Sequence, residues 1–394
     1  MIYIVELSAL YTFGGNAEVT VKLHLNVPEW SARPGNIPSL DGVRGVSILI
    51  VLIGHMLLPA SLVGVSALGL KTFFFISGFL ITRLLLAESK FTGAISLRGF
   101  YFRRILRLYP VIIVYVAIVS AVTLSRGDEI RAIDLSAVFL YFVNYLVIHY
   151  DSLGQGMSIP VGMLWSLSVE EHFYLIAPVA LYLARGDAKK MLIVAVAICI
   201  TSLGLRLTYA YLRPEVVNTL ELYWRSETRF DCIAYGVILA CLPEIKPARR
   251  FLELMATRWA FLAGTGLLLA SFVLRDNYFQ NTWRFTLQGI ALMPIMSGLI
   301  FAAPIPYFNK VMNTRVLVWV GALSYSLYVW HGGTIFFFSY WFDMLPHPLA
   351  APAEFGVSFI LATMSYYVVE RPIMRLRKRL SHAPAHNYQP SPVS

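Results

Sequence analysis

Charged residues are scarce in this sequence. They make up 14% of its 394 residues, whereas hydrophobic residues make up 58%, and the mean hydropathy is +0.66. A soluble globule of this size needs more polar surface than such a composition supplies. The composition therefore excludes an ordinary soluble domain and indicates a chain that folds in a lipid bilayer.

Cysteine is scarce as well. The three cysteines, Cys199, Cys232 and Cys241, lie in or beside apolar segments and show no CxxC spacing. Zinc sites and disulfide frameworks need closely spaced or paired cysteines. We therefore expect neither a metal site nor a disulfide.

The first 37 residues lack the long apolar core of a signal peptide. Residues 19–27 (VTVKLHLNV) instead alternate polar and apolar side chains, as a strand does. We interpret residues 1–37 as an N-terminal extension that either forms a small hairpin or has no function. We expect a membrane domain over residues 38–378 and a disordered cytoplasmic tail over residues 379–394.

Apolar segments long enough to cross a bilayer recur along the chain. A spanning helix needs roughly 20 mostly apolar residues. We predict an all-α membrane protein whose ten spans enclose a central cavity. The predicted spans are residues 43–61, 66–87, 105–125, 163–183, 191–211, 229–243, 256–274, 285–303, 316–338 and 354–370. The shorter apolar segment 134–148 is interpreted as an interfacial or re-entrant helix.

Lysine and arginine are concentrated in alternate linkers. The linkers at 56–65 and 339–353 contain neither residue. The basic segments are residues 88–104, 185–190, 246–250 and 371–379. Because positive loops stay on the cytoplasmic side, both termini are predicted to be cytoplasmic. The net charge of +10 fits this arrangement and an attraction to anionic lipids, so no nucleic-acid partner is expected.

The first predicted span carries two ionisable residues, Arg44 and His55, within LDGVRGVSILIVLIGHM. Their separation of eleven residues places them on nearly the same helix face, roughly 16 Å apart along the axis. Ionisable groups at membrane depth are costly and usually functional. We expect both side chains to face one cavity, although a packing role for His55 is the alternative.

Small and basic residues follow in the next two spans. Ser77 and Gly78 would let a helix or an extended ligand approach the backbone closely. Arg103, Arg104 and Arg107 crowd the start of the third span, and Arg104 and Arg107 share a face. Planar guanidinium groups suit phosphate, so we predict a dock for a phosphorylated cofactor here; ordinary positive-inside anchoring is the alternative.

The segment MLWSLSVEEHFYLIAPV carries Glu170, Glu171 and His172 inside an apolar span. Adjacent residues on a helix diverge by about 100°, so the two carboxylates cannot face the same partner. We expect one of them to face the site while the other pairs with an arginine. A purely structural ion pair is the alternative.

Two later segments are polar where an apolar sequence is expected. Residues 223–236 contain Glu227 and Arg229, and residues 323–333 contain Tyr328 and His331. Groups of this type on the far side of the membrane would suit recognition of an acceptor. For His331 the alternative is a histidine that only satisfies local hydrogen bonds.

Seven blocks in order resemble the membrane acyltransferase family 3, the OafA-like O-acyltransferases. The blocks are LDGVRGVSILIVLIGHM, FFFISGFLITR, FYFRRILRLYP, LWSLSVEEHFYLIAP, SETRFD, LSYSLYVWH and SYYVVERPIMRL. The resemblance covers residues 38–378. It implies a multi-pass protein of the bacterial inner membrane that transfers an acyl group, commonly acetyl from acetyl-CoA, to a hydroxyl of a glycan, glycolipid or related acceptor.

The family carries an Arg, ten residues, His motif and an Arg, two residues, Arg motif, which match Arg44 with His55 and Arg104 with Arg107. The SGNH domain fused to some relatives is not expected here. The catalytic residues that we expect are His55 as general base, Arg44, Glu170 and Glu171. Acyl-CoA would be bound by Arg103, Arg104, Arg107, Ser77 and Gly78. The acceptor would be bound by Trp165, Tyr174, Glu227, Arg229, Tyr328 and His331.

Several alternatives remain open at this point. Direct transfer, which we favour, and a covalent acyl-histidine both fit the residues. A transporter or flippase of an envelope precursor would also use buried ionisable residues, but its inverted repeats are not found. A non-catalytic assembly component and the other large superfamily of membrane-bound O-acyltransferases are further alternatives. We expect no permanently bound cofactor, and the identity of the acceptor is left open.

Overall fold

The computed structural model describes residues 39–58, 64–302, 305–344 and 347–381. Every regular element in these residues is helical, which confirms the all-α prediction. The extension at 1–37 lies outside the described residues. The last helix continues to Ser381, so residues 379–381 of the predicted tail are helical and the rest of that tail is also outside them.

Within the described ranges the chain forms seventeen α-helices. They are α1 (Leu40–Met56), α2 (Ser66–Thr92), α3 (Leu97–Ser125), α4 (Ala132–Phe139), α5 (Val143–Ser152), α6 (Trp165–Leu183), α7 (Ala188–Leu212), α8 (Glu221–Trp224), α9 (Phe230–Cys241), α10 (Arg249–Met255), α11 (Arg258–Ala270), α12 (Asn277–Asn281), α13 (Trp283–Ser297), α14 (Pro306–Met312), α15 (Arg315–Asp343), α16 (His347–Ser365) and α17 (Arg371–Ser381). Single π-helical turns at Gly298–Ala302 and Tyr366–Glu370 extend α13 and join α16 to α17.

Five helical segments of the described chain are long and apolar enough to cross a membrane. They are α2, α3, α7, Trp283–Ala302 and Leu349–Leu376. The pair Lys246–Met255 and Arg258–Ala270, bent by 68°, is a sixth candidate. Helices α1 and α9, with 17 and 12 residues, are shorter than the roughly 20 residues of a full crossing. The chain is therefore a multi-pass membrane protein, and the number of ten spans remains a prediction.

Helix directions agree with alternating spans. The side chain of Arg44 contacts Ser324, and His55 contacts His331, so α1 and α15 run parallel. These helices are the first and ninth predicted spans, which alternation requires to run in the same direction. The predicted cytoplasmic linkers also meet at one end of the bundle, where Lys90 lies 3.8 Å from Glu244.

Glycines allow two helix pairs to approach closely. A methyl group on Gly321 of α15 would lie 1.9 Å from the carbonyl oxygen of Asp41 in α1. A methyl group on Gly78 of α2 would lie 2.0 Å from the carbonyl oxygen of Ile233 in α9. No side chain fits at such distances, so these glycines set the positions of the helices that carry the site.

The apolar segment 134–148 folds as two short helices. Helices α4 and α5 contain 8 and 10 residues, and neither is long enough to cross a bilayer. Tyr141, between them, has a φ of 57°, a conformation that non-glycine residues seldom adopt. The break fits the predicted interfacial or re-entrant segment.

Candidate active site

Helices α1, α2, α3, α6 and α15 line a cavity of about 100 Å³ that is partly open to the outside. We call it the arginine cavity. Its polar lining residues are Arg44, Ser77, Arg104, Arg107, Ser166, Glu170, Tyr174, Ser324, Tyr325 and Tyr328. Seven of the residues predicted from sequence therefore come together here, although they come from five helices.

Each arginine of the cavity is held differently. Arg44 donates to Ser324 Oγ at 2.9 Å, and its Nη1 lies 3.5 Å from Asp41 Oδ1. The guanidinium of Arg104 stacks on the ring of Tyr174, 4.5 Å from its centroid. Stacking occupies a face of the guanidinium and keeps its N–H edge available to a ligand. Arg107 lies close enough to Arg44 to interact with it electrostatically.

The two adjacent glutamates diverge, as helix geometry requires. Ser77 Oγ donates to Glu170 Oε1 at 2.8 Å, and Glu170 lines the cavity. Glu171 interacts electrostatically with Arg104 and Arg107. Its Oε1 is buried and has no hydrogen-bond partner among the described residues.

Sequence reasoning missed a third carboxylate, Glu370. It is 4% exposed, accepts a hydrogen bond from Ser326 Oγ at 2.8 Å, and interacts electrostatically with Arg44 and Arg107. The rule that singled out Glu170, an ionisable residue in an apolar helix, applies equally to this position. Four carboxylates, Asp41, Glu170, Glu171 and Glu370, thus accompany the three arginines of the cavity.

His55 does not line the arginine cavity; it forms a pair with His331. His55 Nδ1 lies 3.2 Å from His331 Nε2, and the rings stack with centroids 5.4 Å apart. His331 is fully buried, and its Nδ1 lies 2.6 Å from the carbonyl oxygen of Tyr328. Tyr328 reaches the cavity with its hydroxyl, 2.5 Å from Ser166 Oγ. The tyrosine therefore connects the histidine pair to the cavity.

Of the remaining predicted residues, Arg103, Gly78 and Trp165 also lie outside the cavity lining. Arg103 pairs with Glu88 at 3.3 Å on a more exposed surface. Gly78 packs on α9, and the buried Trp165 contacts Tyr223, with ring centroids 4.9 Å apart. Of the Ser77 and Gly78 pair, only the serine faces the cavity.

Glu227 and Arg229 belong to a different polar region. Glu227 accepts hydrogen bonds from Tyr145 at 2.8 Å and from Arg225 at 3.1 Å. Arg229 is fully buried. It belongs to what we call the cationic cluster, formed by Lys71, Arg206, Arg229, Arg284 and Asp231. Sequence reasoning missed Lys71 and Arg206, although both lie inside predicted spans.

Comparison with known proteins gives three results. Residues 37–371 match the model of a family described as an acyltransferase domain. A "Putative O-acetyltransferase" of Staphylococcus aureus strain COL is 33% identical over 371 residues, covering 90% of this chain and 59% of that protein. The O-acetyltransferase OatA of Staphylococcus aureus strain NCTC 8325 is 28% identical over 357 residues, covering 87% of this chain and 58% of OatA. No solved structure matches the chain.

Proposed function

The chain belongs to the acyltransferase domain family, and from that premise we propose that it is an integral membrane O-acetyltransferase. The curated relatives named as O-acetyltransferases support this, although the chain spans about 59% of their length. The observation that carries the proposal is the arginine cavity, which gathers three guanidinium groups and is connected through Tyr328 to the pair formed by His55 and the buried His331. Family membership favours this function over a transporter or flippase.

The donor that we propose is acetyl-CoA or another acyl-CoA. Arg104 and Arg107 would bind its phosphates, because guanidinium groups donate paired hydrogen bonds to phosphate oxygens. Tyr174 lies under Arg104 in the same cavity, so we assign it to the donor rather than to the acceptor. Arg44 would hold the donor farther along, while Glu170 and Glu370 offset the positive charge before the donor binds.

The histidine pair favours His55 as the general base. A carbonyl oxygen only accepts, so the Tyr328 carbonyl requires a hydrogen on His331 Nδ1. In the neutral ring, His331 Nε2 then carries the lone pair and accepts from His55 Nδ1. His55 Nε2 is left with a lone pair of its own, as a general base needs. His331, proposed from sequence as an acceptor-binding residue, is thus assigned a positioning role.

The proposed step is direct acyl transfer. His55 Nε2 takes the proton of the acceptor hydroxyl while the oxygen attacks the thioester carbonyl. The carbon–oxygen bond forms, the carbon–sulfur bond breaks, and the proton passes from His55 to the leaving CoA thiolate. The acceptor would be a glycan, glycolipid or related hydroxyl compound that approaches from the side opposite the basic linkers. We place the protein in the bacterial inner membrane with both termini cytoplasmic.

Labelled acetyl-CoA tests this proposal. Membranes containing the wild-type protein should transfer label from acetyl-CoA to their glycan or glycolipid fraction. His55→Ala should reduce that rate by about 10²- to 10⁴-fold, the usual contribution of a general base. His149→Ala is the matched control, because His149 is an exposed histidine on α5. Transfer by His55→Ala at the wild-type rate would show that His55 is not the base, and no transfer by the wild type would contradict the proposed function.

A further inference from the structure

We propose that the cationic cluster binds a phosphate group of an anionic partner on the acceptor side of the membrane. The cluster lies apart from the arginine cavity and shares no residue with its lining. Assigning the phosphate to the acceptor rests on the proposed function. Binding of phosphate itself does not depend on that function and can be measured separately.

Arg229 is the central group of the cluster. It is 0% exposed, and its Nε, Nη1 and Nη2 have no hydrogen-bond partner among the described residues. The rings of Phe285 and Tyr223 lie 4.2 and 4.7 Å from its guanidinium carbon. Aromatic rings stabilise a cation but do not replace strong hydrogen-bond acceptors. A buried guanidinium with free N–H groups is therefore suited to an oxyanion.

The charges of the cluster are unequal. Among the described residues the cluster contains four basic side chains, Lys71, Arg206, Arg229 and Arg284, and one carboxylate, Asp231, so its formal excess is three positive charges when all five are ionised. Arg206 already engages this carboxylate, with its Nη2 2.7 Å from Asp231 Oδ2. Buried charges are normally paired, so the excess favours an anion with more than one negative charge.

Lys71 and Arg229 both contact the ring of Phe285. Lys71 Nζ lies 4.3 Å from the centroid of the Phe285 ring, and the Arg229 guanidinium lies 4.2 Å from the same ring. Lys71 donates to Gln288 Oε1, whose amide nitrogen donates to Ser271 Oγ at 2.8 Å. This chain fixes the ammonium between α2, α13 and the end of α11. A guanidinium and an ammonium that contact the same ring and interact electrostatically suit the several oxygens of a phosphate better than a single planar carboxylate.

The location of the cationic cluster fits binding of the acceptor rather than of the donor. The ring centroid of Tyr223 lies 4.7 Å from the guanidinium carbon of Arg229 and 4.9 Å from the ring centroid of Trp165. Trp165 directly precedes Ser166, which lines the arginine cavity. A phosphate at the cluster would lie one aromatic layer from the arginine cavity. Arg284, which is only half-buried, approaches Gly64 near the start of α2, at the end of the bundle opposite Lys90 and Glu244.

Two phosphate sources share this chemistry, a lipid headgroup and a soluble phosphate. The test uses the full chain purified in dodecyl maltoside, with thermal unfolding followed during titration of inorganic phosphate and, separately, of phosphatidylglycerol. We expect one or both probes to raise the unfolding midpoint of the wild type. The probe that acts identifies the source. No rise with either probe would overturn the proposal.

Variants of the cluster residues test whether the rise in the unfolding midpoint comes from phosphate bound at the cluster. Arg229→Gln and Lys71→Met should abolish the rise in the unfolding midpoint. Arg284→Gln, at a half-buried position that tolerates substitution, should raise the half-effective phosphate concentration by about tenfold, or about 1.4 kcal/mol. The double variant Arg104→Gln with Arg107→Gln, which removes the proposed donor-phosphate site and leaves the cluster intact, is the control and should keep most of the wild-type rise.

Two results would contradict the assignment. An unchanged response in Arg284→Gln together with either core variant would show that phosphate binds elsewhere. Loss of the response in the Arg104 and Arg107 double variant would place the phosphate in the arginine cavity. Transfer from labelled acetyl-CoA in the absence of any phosphate effect would leave the proposed function intact and remove only this inference.

Discussion

The arginine cavity and the cationic cluster differ in how many carboxylates accompany their basic side chains and in how deeply those side chains are buried. In the cavity, the arginines are accompanied by Glu170, Glu171 and Glu370, and the space is partly open. In the described part of the cluster, four basic side chains accompany one carboxylate, Asp231, and Lys71, Arg206 and Arg229 are buried. We therefore expect the stability of the cluster to depend more strongly on Asp231 than the stability of the cavity depends on any one of its carboxylates.

The largest effect expected from this comparison comes from Asp231→Asn. Removing this carboxylate leaves the buried Arg206 without its ion-pair partner, which typically costs about 3 to 5 kcal/mol. The matched change beside the cavity is Asp41→Asn, at a partly exposed partner of Arg44 that lies 3.5 Å away, and it should cost about 1 kcal/mol or less. Thermal unfolding of both purified variants measures the difference, and equal destabilisation would contradict the comparison.

A smaller loss of stability is expected from Gly78→Ala. Helix α2 separates the two regions, with Ser77 facing the cavity and Gly78 packed on α9, where a methyl group would meet a backbone oxygen at 2.0 Å. Overpacking of this kind costs about 1 to 3 kcal/mol. Gly204→Ala on α7, with open space around it, is the control and should be neutral or slightly stabilising. Similar unfolding midpoints for the two variants would mean that α2 and α9 can move apart without loss of stability, contrary to this prediction.

The histidine pair, which Tyr328 connects to the cavity, sharpens the comparison through catalysis. We expect His331→Ala to lower kcat about 10- to 100-fold, part of the contribution of a positioned base, with little change in KM for acetyl-CoA. His331→Gln offers an amide oxygen that can accept from His55 Nδ1 and should restore most of the rate. A kcat of His331→Gln no higher than that of His331→Ala, or an effect on KM alone, would argue against the positioning role.

The smallest effect concerns donor binding. Arg104→Ala with Arg107→Ala should raise KM for acetyl-CoA about tenfold or more and change kcat less, because the lost contacts are to the phosphates of the donor. Arg103→Ala should leave both constants unchanged, since Arg103 pairs with Glu88 outside the cavity lining. Initial rates over a range of acetyl-CoA concentrations distinguish these outcomes. An equal effect of Arg103→Ala would reassign the residue to the site.

Much of the cavity was predictable because polar residues stand out in an apolar sequence. Arg44, Arg104, Arg107 and Glu170 were identified in this way, and all four line the cavity. Lys71 was visible by the same rule but was passed over beside the small residues of its span. The rule locates costly residues; it does not say which of them meet.

The histidine pair could not be predicted as a pair. His55 and His331 are separated by 276 residues, and their contact depends on how α1 packs on α15. Helix periodicity correctly gave Arg44 and His55 a common direction, since both contact α15. It could not show that one side chain reaches the cavity while the other meets a histidine. Some helix limits also differ from the predicted spans: α3 begins at Leu97, where Ser96 caps it, rather than at residue 105, whereas α11 is shorter than the predicted span 256–274.

The close contact between α1 and α15 has a consequence for how this sequence can vary. Arg44 and His55 are carried by one helix and their partners by its neighbour, so the helical rise fixes the distance between the two ends of the site. A one-residue insertion between them would rotate His55 by about 100° away from His331. Changes in length should therefore be tolerated in the connecting loops but not between residues 44 and 55, even where individual side chains there are replaceable.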